Sequence, residues 1–162
     1  MKKIICLIAV LLAFTSISYA GGLSIGLGYP YASIKYDFST LAAEGRFVTD
    51  SGVKVYSGRG YWNFYQQGRI KGFTGLEGGY ISFNTLDTKG TGYEAAPFIG
   101  GEYFINKWLS LLIDFAPTYI SLKHADDSSV KVGGVELVAN IALYFHFGNN
   151  MVANKEDDSS NE

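Results

Sequence analysis

Nine ionisable side chains could do chemistry in this sequence if one surface gathered them: Lys35, Glu44, Arg46, Arg59, Glu77, Glu94, Glu102, Asp114 and Glu136. Paired carboxylates divide acid and base roles when their surroundings split their pKa values, and a row of carboxylates can line a path for cations. The same residues can instead form a structural network in which each buried charge meets an opposite one, since an unpaired charge costs several kcal/mol. Glu44 and Arg46 stand two residues apart, the spacing that puts neighbours on one face of a β-strand. Arg59 shares its parity with Ser57, Tyr61 and Asn63, and Glu136 shares its own with Asn140, Tyr144 and His146. These spacings favour a network in which Arg46 and Arg59 bridge among Glu44, Glu77, Glu102 and Asp114, with Lys35 and Glu136 on the same side and acids in excess. A catalytic pair would also need a cleft and a nucleophile, and the sequence displays neither.

The histidines and glycines add little catalytic promise. His124 precedes Asp126 and Asp127 in a polar stretch, and one imidazole with two carboxylates on a loop makes a poor metal site. His146 reads as an interior hydrogen-bonding residue rather than a general base. Gly58-Arg59-Gly60 lies mid-strand with no helix after it, so it is not a phosphate loop. Glycines at 26, 28, 58, 60, 75, 78, 79, 100 and 101 read as bends, bulges or points of close backbone approach. No cofactor, no metal and no enzymatic activity are expected.

Strands must position these charges, and the clearest runs from Trp108 to Leu122. Leu109, Leu111, Ile113, Phe115, Pro117 and Tyr119 take one parity, and Ser110, Asp114, Ala116 and Thr118 the other. Six further segments read the same way: 25–38, 41–49, 53–65, 70–83, 93–105 and 135–147. Each is close to or above the roughly 9–11 residues that a tilted membrane strand needs. The nine charges named above all take the parity opposite the greasier face, the pattern of a barrel with lipid outside and a polar interior. Short turns at Ser39-Thr40, Gln66-Gln67-Gly68 and Asn106-Lys107 alternate with polar connections at 50–52, 86–92 and 123–134, of which the last two are longer. Single-chain bacterial barrels have even strand numbers, with eight the usual minimum. Seven strands read clearly, and the long first segment, interrupted by Pro30, is the candidate for two. The predicted fold is therefore all-β, an antiparallel up-and-down transmembrane β-barrel of eight strands.

The ends differ from the middle. Lys2 and Lys3, the apolar stretch Ile4 to Phe14, and Ser18-Tyr19-Ala20 have the layout of a cleaved signal peptide over residues 1–20. Cys6 is the only cysteine and falls inside that leader, so the mature chain is expected to hold no disulfide and no thiolate metal site. Residues 21–147 would be the barrel and 148–162 a disordered acidic tail, almost without apolar residues after Val152. The whole sequence carries 13 basic and 15 acidic residues, and a leader lost with Lys2 and Lys3 shifts the balance further from nucleic-acid binding, which needs a basic stripe. Trp62, Phe64, Tyr103, Trp108, Phe145 and Phe147 fall near segment ends, where aromatic rings suit a membrane–water boundary.

The final strand, Asn140-Ile-Ala-Leu-Tyr-Phe-His-Phe147, resembles the closing strand of bacterial outer-membrane proteins. In that pattern a polar residue, a glycine and two alternating hydrophobics ending in Phe are read by the barrel-assembly machinery. Asn140, Phe145 and Phe147 match it, while Ala142 stands in the glycine's place and an acidic tail follows. Together with Gly75-Leu-Glu-Gly-Gly-Tyr80 and Gly101-Glu-Tyr-Phe-Ile-Asn-Lys-Trp108, it is similar to the small bacterial outer-membrane β-barrel superfamily. That superfamily includes opacity-type surface proteins and the transmembrane domain of outer membrane protein A. The resemblance, one of architecture, implies residence in the cell outer membrane. It also implies contact with outer-membrane lipid and with the assembly machinery, and a monomeric state. It does not choose among roles. The expectation is a non-enzymatic structural or surface protein with a plugged, ion-paired interior. A narrow channel for small solutes is the alternative, and a lipid-modifying enzyme ranks third.

Overall fold

The structure is a computed structural model, and it describes residues 22–84, 88–125 and 131–147. Eight antiparallel strands close into a barrel in sequence order. They are β1 (Gly22–Gly28), β2 (Tyr31–Asp37), β3 (Leu41–Asp50), β4 (Val53–Gln67), β5 (Ile70–Asn84), β6 (Lys89–Asn106), β7 (Leu109–His124) and β8 (Lys131–Phe147). The first long apolar segment resolves into β1 and β2, which supplies the eighth strand. Pro30 lies between them, and with no N–H it cannot donate to a ladder.

The later strands outrun their apolar cores. β6, β7 and β8 extend to Lys89, His124 and Lys131, so the connections expected at 86–92 and 123–134 are shorter than their composition suggests. Polar residues pair as readily as apolar ones once a ladder is available, because the pairing satisfies backbone groups. Gln66 and Gln67 likewise belong to β4, and the turn falls on Gly68-Arg69. Gly68 takes a φ of +53°, a left-handed conformation that glycine adopts without steric cost. The leader, the tail, residues 85–87 and residues 126–130 lie outside the described residues.

Register fixes the barrel's geometry. Direct partners run from Ile25 through Ile34, Gly45, Gly58, Gly78, Ala95 and Tyr119 to Val135. The partner of Ile25 on β8, however, is Phe145, ten residues further along. A stagger of this size belongs to strands tilted by about 40°, so each register row climbs around the wall.

Burial alternates strictly along β1, β2 and most of β3. Inside, Tyr31, Tyr61, Phe73, Phe98, Leu112 and Tyr144 are almost wholly shielded. Tyr61 meets Phe73 and Phe98 edge-on, with ring centroids 5.2 and 4.8 Å away. This filling depends on missing side chains opposite. A Cβ on Gly75 would collide with the Gly60 carbonyl oxygen and the Phe98 ring, and one on Gly26 would strike Ser33 and Tyr144.

Candidate functional site: an ion-paired interior and a banded outer wall

Inward parity carries the charges into the lumen, where the closed sheet forces strands far apart in sequence to face one another. Two layers result. The layer nearer the mouth centres on Arg59 and Asp114. Arg59 Nη1 donates to Asp114 Oδ2 at 2.7 Å, and its Nη2 to Oδ1 at 3.2 Å, a bidentate pair. Its Nε donates to Glu77 Oε2 at 2.7 Å, while Ser57 donates to the other Glu77 oxygen at 2.6 Å. Asn140 donates to Asp114 Oδ1 at 2.8 Å.

Arg46 completes this layer. It lies 3.2 Å from Glu44 and 3.6 Å from Asp114, donates to the Tyr31 hydroxyl at 3.0 Å, and stacks over that ring at 3.9 Å. Glu44 also accepts from the Tyr61 and Tyr144 hydroxyls. Charge-assisted bonds of this kind are roughly twice as strong as neutral ones, and the bidentate form adds geometric specificity.

Closer to the short-turn end, Glu102 is the hub. Lys35 Nζ lies 2.9 Å from Glu102 Oε2 and Lys71 Nζ lies 3.0 Å from the same atom. Asp37 flanks both lysines, at 3.6 and 3.0 Å. Ser110 donates to Glu102 Oε1 at 2.6 Å. His146 lies between two serines, with Nε2 2.7 Å from Ser110 Oγ and Nδ1 2.8 Å from Ser24 Oγ. The ammonium of Lys35 lies 5.2 Å from the Tyr61 ring centre and 5.1 Å from that of Tyr144, which joins the two layers.

Several expected residues sit elsewhere or pair differently. Glu102 meets lysines rather than Arg46 or Arg59. Glu136 keeps inward parity but is exposed, opposite Thr118, and stands outside the network. Glu94 is only partly buried. Lys71 and Asp37 were missed, although Lys71 shares the parity of Glu77 and Asp37 that of Lys35. With them, four cations face five carboxylates: Lys35, Arg46, Arg59 and Lys71 against Asp37, Glu44, Glu77, Glu102 and Asp114. Asp37 and Glu77 have the most exposed side chains of the five, at 14% and 11%, so the surplus negative charge sits nearest solvent.

The Ser24–His146–Glu102 chain was also invisible in the sequence, because its members are 122 and 44 positions apart. Serine, imidazole and carboxylate are the groups of a hydrolytic triad. Here they face inward and all are buried, Ser24 at 0% and Glu102 at 1% exposure. No substrate could reach the serine in this arrangement. His124 packs edge-on against Phe83, with centroids 6.0 Å apart. Among the described residues no His, Cys, Asp and Glu side chains form a metal-binding group.

The outer wall is banded. On β6 the outward positions between Tyr93 and Tyr103 are Ala95, Pro97, Ile99 and Gly101. Those on β7 up to Tyr119 are Leu109, Leu111, Ile113, Phe115 and Pro117. Leu76 and Leu137 are 70% and 77% exposed, fully contrary to what a water-facing wall would favour over such an area. Rings border this zone on both sides. Phe38, Trp62, Phe64, Tyr103, Trp108 and Phe147 lie towards the short turns, all exposed. Towards the other end, Phe47, Tyr56, Tyr80 and Tyr93 are direct cross-strand partners in one row. The ten residues from Tyr93 to Tyr103 span ~33 Å of strand, which a 40° tilt reduces to about 25 Å of height, the thickness of the apolar band of an outer-membrane barrel. Phe145 and Phe147 of the closing strand point outward at its lower edge, whereas Asn140 points inward to Asp114.

No protein-family model matches the chain, and no curated protein is significantly similar to it.

Proposed function

We propose that the chain is an integral barrel of the bacterial outer membrane, akin to the small outer-membrane β-barrel superfamily, with a non-enzymatic structural or surface-presenting role. One observation carries this reading: a wall apolar over about 25 Å between two aromatic borders encloses a lumen filled with paired charges. Lipid would cover the wall, the barrel-assembly machinery would insert the chain, and the connections opposite the short turns would meet the exterior. The triad-like chain is sealed from substrate, which favours a structural role over a lipid-modifying enzyme.

Gel mobility of the detergent-extracted protein, with and without boiling, tests the reading. A heat-sensitive fast-migrating band in the outer-membrane fraction is the expected result. Recovery of the protein in the soluble periplasmic fraction, without a mobility shift, would overturn the proposal. The same preparation should give no stepwise conductance in planar bilayers, because Lys35, Glu102 and Asp114 block the bore with side chains that water cannot reach. Regular single-channel steps from native protein would favour the conduit instead.

A further inference from the structure

Charge is sorted by direction on this barrel. Among the strand side chains that the structure describes, every charged one at an outward position is a lysine, and all of them lie towards the long-connection end: Lys54, Lys89 and Lys123. The acids of the same end, Asp50, Glu94 and Glu136, take inward positions. A wall that needed only solubility would mix both signs.

Two of these lysines belong to one continuous register row. Thr49 pairs with Lys54, Lys54 with Ser82, Ser82 with Thr91, and Thr91 with Lys123. Five adjacent strands, β3 to β7, thus contribute only hydroxyl-bearing residues and lysines, with no carboxylate between them. The row runs two residues beyond Phe47, Tyr56, Tyr80 and Tyr93, on the same outward parity. Thr49, Lys54, Thr91 and Lys123 are exposed. Neighbouring strands lie about 4.8 Å apart, so the row is roughly 19 Å wide. The strip runs parallel to the row of rings, two residues further from the apolar band, where a bilayer would place its headgroups.

We propose that this row is a docking strip for the phosphate groups of lipids in the outward leaflet: ammonium groups supply the charge, and Ser82, Thr91 and Thr49 supply neutral donors. The inference rests on the outer-membrane reading above. Long lysine stems suit the position, since their methylenes can lie along the aromatic border while the ammonium reaches the phosphate layer.

The test folds the full-length protein into phosphatidylcholine vesicles containing either bisphosphorylated lipid A or its dephosphorylated form. The lipid A retained per barrel after detergent extraction is then counted by mass spectrometry. Native protein should retain the bisphosphorylated form in excess. The double variant Lys54→Gln/Lys123→Gln should retain about 25-fold less, since each lysine near an anionic surface is worth about a factor of five. Both proteins are also assayed for the heat-dependent gel shift. Equal retention by native and variant, with both shifting on boiling, would overturn the docking strip and leave the membrane reading standing. A native protein that never acquires the heat-sensitive band would overturn both.

Discussion

Replacing Arg59 with leucine should destabilise the barrel by about 3–5 kcal/mol, the usual consequence of removing one partner from a buried ion pair. Arg59 is 3% exposed and satisfies both oxygens of Asp114 and one of Glu77. Its loss leaves Asp114, itself wholly buried, with Asn140 and a 3.6 Å contact to Arg46 as compensation. Leucine also fails to stack on Phe98, over which the guanidinium lies at 4.3 Å. Urea unfolding of the vesicle-inserted protein, followed by loss of the fast-migrating band, measures the difference. The double variant Arg59→Leu/Asp114→Leu should recover part of it, because no unpaired charge then remains at the hub. A single-variant loss below about 1 kcal/mol would show that water, rather than Arg59, solvates Asp114.

Ile113→Arg carries the second large effect, and it separates a lipid-facing wall from a water-facing one. Ile113 is an outward residue of β7, paired with Gly101 and Ile141 and midway between the two aromatic borders. In a bilayer, arginine at that depth should cost about 2–4 kcal/mol, falling to about 0–1 kcal/mol near the edges of the band. Thr91→Arg, above Tyr93, is the matched control and should be close to neutral. On a water-facing surface both changes would fall within about 0.5 kcal/mol. The two outcomes are far enough apart to read from urea midpoints alone. Equal, small effects would remove lipid from the account of the wall.

The two substitutions probe opposite faces of the same strands, and those faces were legible to different degrees. Outward residues needed only parity. Leu109 to Tyr119 alternate so regularly that the apolar wall of β7 follows from the period of two. The same period put Arg59, Glu102 and Asp114 on the inner side. Where apolar alternation faded the reading fell short, as at Lys89 to Gly92 and Lys131 to Gly134, because backbone pairing continued without help from side chains. Glu136 shows a further limit of parity: it states direction but not depth, and a residue near a barrel mouth can point inward and remain in water.

Lys71 is the instructive omission. It falls inside the strand segment 70–83 with the parity of Glu77, yet it stands next to a glycine at the segment's edge and was not counted among the inward charges. Only the β5–β6 register sets it beside its partner, for Lys71 is directly opposite Glu102 across the ladder. The pairings of Arg46 and Arg59 with Glu102 failed for the same reason. Parity assigns each to one lumen, and the stagger assigns them to different levels of it.

Local alternation, turn residues and the placement of aromatics, all properties of neighbouring positions, determined that this chain makes strands, which side of each is greasy, and that charges collect on the other. Strand spacing and the ten-residue stagger determined the rest. They set Arg59 against Asp114 across 55 residues and Lys35 against Glu102 across 67, and they gathered lysines and hydroxyls from five strands into one row. Such meetings depend on how the last strand closes on the first, and a period of two repeats identically whatever that closure turns out to be.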